Sequence, residues 1–292
     1  KITEWPIPPQ LTLAEFKLTG GRLRRTQKGQ APRVGRFDPS NMQWTDLQVS
    51  LNHVNYKGGT LQIPLRGSGK EFSGLSLDSL SATLNWSSHG LRIEQLKIKT
   101  PRSLINQTID WAAQGNGSAF TVLLEENRID PADVNLFLNK PLPFADLLLL
   151  RGRIDINGNQ VLAKQVWAQW GPSARISGDV KATQWRDPKK WQIEATKSEA
   201  FVRSDFIERF VKVAPNQKQW INRIGYAQVR GKGSLNGQKA IWDGTLRTQV
   251  GTLQINGEVS YAEKKDPAYQ IRLNGQLDGL QVLFPDAGIR SA

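Results

Sequence analysis

The chain has 292 residues, 39 basic and 26 acidic, giving a net charge of +13, two histidines and no cysteine. That length fits one large domain or two ordinary ones, and 38% apolar residues plus 26 glycines is an ordinary globular composition, which excludes a disordered chain. Without cysteine there are no disulfides, no thiolate catalysis and no cysteine-ligated metal. The charge directs attention to polyanions or anionic lipid surfaces.

The first segment, residues 1–35, holds Trp5-Pro6-Ile7-Pro8-Pro9 and then Arg22, Arg24, Arg25, Lys28 and Arg33. Proline at that density predicts an edge or linker, and the basic run between glycines reads as a solvated loop. Alternation with period two follows: Leu47, Val49, Leu51; then Leu61, Ile63, Leu65; then Leu75, Leu77; then Leu80, Ala82, Leu84, Trp86; then Leu91, Ile93. Such a pattern predicts strands with one apolar and one wet face. A parallel sheet, buried on both faces, would read as continuous apolar runs, so the strands are expected to be antiparallel.

Later strands repeat the pattern at Leu150, Gly152, Ile154, Ile156; at Ile176, Gly178, Val180; at Leu253, Ile255, Gly257, Val259, Tyr261; and at Ile271, Leu273, Gly275, Leu277. Turn residues break these runs at Tyr56-Lys57-Gly58-Gly59, Ser87-Ser88-His89-Gly90, Asn157-Gly158, Asn236-Gly237 and Lys264-Lys265-Asp266-Pro267. Helical signals are short. Asp130-Pro131 is an N-cap with proline at the first helical position, followed by Val134, Phe137 and Leu138. Ser204 can open a second helix bearing Phe206, Ile207, Phe210 and Val211, stopped near Pro215. Trp220, Ile221 and Ile224 mark a third. No apolar run approaches a membrane span.

A shift of 79 residues lays Arg151-Gly152 on Arg230-Gly231, Asn157-Gly158 on Asn236-Gly237, and Ile176, Gly178, Val180 on Ile255, Gly257, Val259. One residue of gap later, Gln192-Ile193 meets Gln270-Ile271. A β unit repeated along an axis is the expected cause, with Gly178 and Gly257 at equivalent positions. The organisation read from this is 1–35 as an edge segment, 36–129 as a first β section, and 130–208 and 209–292 as two repeats, each with a leading helix.

Catalytic templates fail. Glu125 and Glu126 are adjacent, so on a strand they point to opposite faces and cannot share a site; as a pair they read as an exposed turn. His53 and His89 have no acidic partner at a recognisable spacing. Arg66-Gly67-Ser68-Gly69-Lys70 lacks the spacer and following helix of a phosphate cradle and reads as a loop. The expectation is a non-enzymatic protein without metal or cofactor. Nucleic acid is not the expected partner, because the basic residues are spread as the wet halves of strands, such as Lys97 and Lys99 or Arg151 and Arg153. Instead, parity puts Ile154, Ile156, Ile176, Val180, Leu253, Ile255, Val259, Ile271 and Leu273 on one face, and Arg151, Arg153, Asp155, Asp179, Glu258 and Arg272 on the other. The first set is the candidate lining of an apolar trough for acyl chains, or of the dry core of a closed sandwich if a second sheet covers it; composition alone does not separate the two.

Residues 71–103 carry a more specific signature. Glu71-Phe72-Ser73-Gly74-Leu75, Leu77, Leu80-Ser81-Ala82, Gly90-Leu91 to Leu96 and Thr100-Pro101-Arg102-Ser103 resemble a segment of TamB-like proteins of the AsmA-like superfamily. Phe37-Asp38-Pro39 through Leu65, and Asp130 to Leu138 with the glycine-bearing repeats, resemble the same family in order. The family's C-terminal domain and N-terminal membrane helix are not visible, so the chain reads as an internal piece. The resemblance implies a mainly β fold, an elongated repetitive antiparallel sheet curled into a taco-like groove with a few short helices. It also implies a periplasmic part of a protein anchored in the inner membrane of a diderm bacterium, handling phospholipid. An outer-membrane barrel of the TamA type is the implied partner, in outer-membrane lipid homeostasis and protein assembly or secretion. A scaffold that guides outer-membrane polypeptides by strand addition, and a basic β-module for nucleic acid or anionic polysaccharide, stay open as alternatives.

Overall fold

The computed structural model describes residues 10–27, 33–114, 117–187, 190–210, 215–260 and 268–276. They form fifteen strands and three short helices. Two compact units divide the chain, Lys1–Ala145 and Asp146–Ala292. The fold is mainly β and antiparallel, as the alternation predicts.

In the first unit β1 (Gln10–Arg25), β2 (Met42–Lys57), β3 (Thr60–Glu71), β4 (Ser76–Ser87), β5 (Gly90–Lys99), β6 (Leu104–Gln114) and β7 (Gly117–Ile129) each pair with their neighbours in sequence. Helix α1 (Pro131–Asn135) follows, capped by Asp130, whose carboxylate accepts from the Ala132 N–H. The second unit runs β8 (Leu148–Asn157), β9 (Gln160–Trp170), β10 (Ala174–Thr183) and β11 (Gln192–Arg203), then α2 (Ser204–Phe210) and α3 (Pro215–Ile224). It continues with β12 (Tyr226–Asn236), β13 (Lys239–Thr248), β14 (Gly251–Ser260) and β15 (Ala268–Gln276), again a meander in sequence order. Short hairpins explain most of that order, since two to four turn residues can return only an adjacent antiparallel strand; β1–β2, β10–β11, β11–β12 and β14–β15 are joined by longer connections.

Four expectations are corrected. Arg66 to Lys70 is part of β3, not a loop. A side chain added at Gly69 would meet Leu47 Cδ2 at 2.8 Å, so its glycine serves strand packing. Arg22, Arg24 and Arg25 end β1 rather than lying in a loop, because β2 offers Met42, Gln43 and Trp44 as pairing partners. Glu125 and Glu126 lie in β7, both exposed, rather than in a turn.

The fourth correction concerns the repeat. β8–β11 do correspond to β12–β15 strand for strand, and Gly152 and Gly231 occupy the same row. Gly178 and Gly257, however, are not equivalent. β9 holds an extra residue at a bulge and turns into β10 through three residues, while β13 has no bulge and turns into β14 through two. Gly178 therefore falls in the row of Ile255, and Gly257 in the row of Val180.

Trp5 to Pro9, Lys28, Val211, Tyr261, Leu277 and the turn at Lys264 to Pro267 lie outside the described residues, as do the side chains of Phe210, Trp220 and Ile271.

Candidate functional site: a charge-free sheet face

Cross-strand pairing places opposed residues on the same face, so register decides which side chains share a surface. In the second unit the row nearest the Asn157-Gly158 hairpin reads Ile156, Val161, Ala182, Ile193, Leu235, Ala240 and Val259 across β8 to β14. The next row reads Ile154, Ala163, Val180, Ala195, Gly233, Trp242 and Gly257. Farther along the same face, Leu150, Ala168, Ile176 and Ala200 align on four strands, and Val229, Leu246 and Leu253 on three more. From β8 to β14 the regularly paired positions of this face carry no charged side chain among the described residues; Lys197, at the β11 bulge, is the one cation that enters its rows. Leu273 extends it by pairing with Ile255, while Ile271 pairs with Gly257 through its backbone.

The register thus brings together on one face the predicted Ile154, Ile156, Ile176, Val180, Leu253, Ile255, Val259 and Leu273. The opposite face takes Arg151, Arg153, Asp155, Asp179 and Glu258. There Arg153 pairs with Asp155 at 2.9 Å and Lys239 with Glu258 at 2.7 Å. Arg272 pairs with Asn256 on that face. Asp179 accepts from the Gln165 N–H at 2.7 Å and so holds the β9 bulge.

The apolar face is not sealed. Ile176 is 45% exposed and Leu273 59%, and no large side chain among the described residues is fully buried. A cleft of about 470 Å³ opens on it, lined by Ile193, Leu235, Ala240, Trp242, Ile255 and Val259 with neighbouring residues of β11 to β14. Its size lies within the range of small-molecule sites. Among the described residues α2 meets the far row, setting Phe206 against Trp170 with ring centroids 6.2 Å apart. The helices therefore cap one end of the strands rather than roofing the face.

A band of bulges and glycines crosses the middle of these strands. Gln165 and Lys197 adopt positive φ at bulges in β9 and β11. Opposite them lie Gly152 (φ 141°) and Gly178 (φ 148°). A Cβ on Gly152 would stand 2.8 Å from the Val166 Cα, and one on Gly178 2.9 Å from the Ser198 Cα. On β12 and β13 the paired Gly231 and Gly244 are closer still, a Cβ on Gly231 lying 2.7 Å from the Gly244 Cα. All four glycines belong to the apolar face by parity. The band is thus a line of close strand approach across the middle of this face.

The first unit repeats the design. Leu61, Trp86, Leu91, Trp111 and Phe120 form one row of β3 to β7, and Ile63, Leu84, Ile93, Ile109 and Val122 the next. Trp86 is 59% exposed and Trp111 40%. Bulges at His53 in β2 and Gln95 in β5 take the place of Gln165 and Lys197. Neither this unit nor Trp242 is among the lining residues expected from periodicity. The signals were present as Ile105, Ile109, Trp111 and as Ala240, Trp242, Leu246, all two or four residues apart.

Glu71 to Leu75 and Thr100 to Ser103 lie at one end of the first unit's strands, joined by β4 and β5. Glu71, buried, accepts from the Gln43 N–H at 2.9 Å and the Ser73 N–H at 2.6 Å. The turn Thr100-Pro101-Arg102-Ser103 grips Asp133 of α1. The Thr100 and Ser103 hydroxyls donate to Oδ2 at 2.6 Å, and Arg102 donates Nε and Nη2 to Oδ1 at 3.0 and 2.7 Å. Burial opposes ionisation of Asp133, but the bonds from Ser103, Thr100 and Arg102 outweigh it and hold the carboxyl below its usual range. The second unit has a sparser version, the Ser173 hydroxyl donating to Asp205 of α2 at 2.8 Å. These residues fasten helices to strand ends; nothing in their geometry poises them for chemistry.

No group of three or more metal-binding side chains occurs among the described residues, and no helix there is long and apolar enough to cross a membrane. His53 sits at its bulge and His89 in a turn beside Ser88. No family model, no curated protein and no solved structure matches this chain.

Proposed function

We propose that this chain is a periplasmic segment of an envelope-spanning lipid conduit, whose apolar face carries phospholipid acyl chains. The observation that carries this reading is the apolar surface shared by β8 to β14, exposed at Ile176 and Leu273 and opened by a cleft. Evicting water from exposed apolar area favours hydrocarbon by about 25 cal/mol per Å², and an apolar lining imposes no desolvation penalty on a sliding chain. The signature at residues 71–103 supports the reading by its resemblance to TamB-like proteins. In that frame the protein is anchored in the inner membrane of a diderm bacterium. It works with an outer-membrane barrel of the TamA type and supports outer-membrane lipid homeostasis and protein assembly, with no enzymatic step.

A photo-crosslinking amino acid at position 255 should capture phospholipid, while one at 272 should not. Equal capture at both, or at neither in folded protein, overturns the conduit. A second reading, a scaffold that guides polypeptides by strand addition, is favoured by one feature: β1 is a sixteen-residue edge strand, exposed almost throughout. Capture of an extended polypeptide along β1 with no lipid at 255 would select it.

A further inference from the structure

The polar faces of the two units differ in how their cations are used. In the second unit several are matched, although Lys164, Lys181 and Arg247 form no ion pair with a carboxylate of the described residues. Glu199 accepts from Arg175 at 2.9 Å, Arg230 at 3.0 Å and Gln228 at 2.7 Å, and Lys232 lies 3.4 Å from Asp243. In the first unit one cross-strand row reads Lys17, Ser50, Arg66, Ser81, Lys97 over β1 to β5. Cations alternate with hydroxyls. Lys17, Arg66 and Lys97 are all exposed, and none forms an ion pair with a carboxylate of the described residues.

Two clefts flank Arg66 on this face. One, about 250 Å³, adds Gln48, Ser68 and Ser79 to Lys17, Ser50 and Ser81. The other, about 300 Å³, adds Asn52, His53, Thr83 and Gln95. Asp78 is the one carboxylate lining either. The face is therefore rich in hydroxyl and amide groups, with uncompensated positive charge at fixed intervals.

We propose that this row is a docking surface for an acidic polysaccharide laid across the strands. Adjacent strands lie about 4.8 Å apart, so cations on β1, β3 and β5 recur about every 10 Å. A polysaccharide with a carboxylate or sulfate on every second sugar has acid groups at that order of spacing. Its neutral sugars fall over Ser50 and Ser81, whose hydroxyls both donate and accept. Nucleic acid fits less well. Duplex phosphates recur about every 3.4 Å along each strand, and single strands need stacking platforms. Neither the row nor the two clefts contain Trp, Tyr or Phe. The surface lies opposite the apolar face and is independent of what that face carries.

The test measures binding of a hyaluronan decasaccharide, with its one carboxylate per two sugars, a single-stranded DNA of equal charge and phosphatidylglycerol vesicles to the 292-residue chain. The decasaccharide should bind best. Lys17→Glu, Arg66→Glu and Lys97→Glu together should weaken it at least about tenfold, a charged contact being worth about a decade in affinity. Lys164→Glu, Lys181→Glu and Arg247→Glu together change net charge equally on the second unit and should leave affinity within about twofold. Arg66→Gln alone, a surface change neutral to folding, should still weaken binding severalfold. Absence of decasaccharide binding, equal loss in both triple variants, or preference for DNA or vesicles would overturn the proposal.

Discussion

Asp133 gives the most direct check on the stability of the fold that holds the apolar face. Its carboxylate is 7% exposed and takes two hydroxyl bonds at 2.6 Å and a two-pronged contact from Arg102. A hydrogen bond to a charged acceptor contributes about 1.5–3 kcal/mol, so Thr100 and Ser103 together account for about 3–6 kcal/mol. Arg102 is half in solvent, which limits it to about 1 kcal/mol. Removing the carboxylate also relieves its desolvation, so Asp133→Ala should cost about 3 kcal/mol and Asp133→Asn about 2 kcal/mol. For a unit of this length that lowers the melting temperature by about 6–12 °C for the alanine variant. Calorimetry on the chain, with amide exchange at residues 99–104 and 130–137, reads both the size and the place of the loss. A cost below about 1 kcal/mol, or exchange unchanged around the Thr100–Ser103 turn, would refute the clasp as the tie between α1 and the strands.

Acid should act through the same group: the folded-state pKa of Asp133 is lowered, so its contribution is whole above the unfolded value of 3.8 and fades as pH falls through the folded value. Denaturant titrations should therefore show this term flat above about pH 5 and lost in stronger acid, with the dependence reduced in Asp133→Asn. Gly231→Val should place side-chain atoms against the Gly244 backbone and cost about 3 kcal/mol, whereas Gly58→Ala, which meets no atom within 4 Å, should cost about 1 kcal/mol through its φ of 60° alone; urea unfolding separates the two. Ile255→Asp should cut crosslinked phospholipid at a neighbouring position by about 100-fold, because displacing about four methylenes at 0.8 kcal/mol each loses about 3 kcal/mol, while Arg272→Glu should leave capture nearly unchanged.

The strands were legible because β periodicity is local: an apolar residue at every second position fixes the face whatever the partner strand is. Parity alone therefore put Ile154, Ile255 and Leu253 on one side and Arg151, Arg153 and Glu258 on the other. The caps were legible for the same reason, since Asp130-Pro131 acts within one turn. What sequence periodicity could not supply was anything set by pairing between strands. The bulges at Gln165 and Lys197 have no residue-type signature, yet each shifts a register, which is why Gly178 sits opposite a bulge and Gly257 does not. Arg66-Gly67-Ser68-Gly69-Lys70 looked like a loop until β2 packed against it, because the glycines answer to Leu47 and Gln48, roughly twenty residues away. The line of close strand approach and the cation row of Lys17, Arg66 and Lys97 likewise exist only after separate strands are aligned. Chain order determined which face each side chain takes; tertiary register decided which of those side chains become neighbours, because hydrogen-bond pairing joins residues whose separation no local pattern encodes.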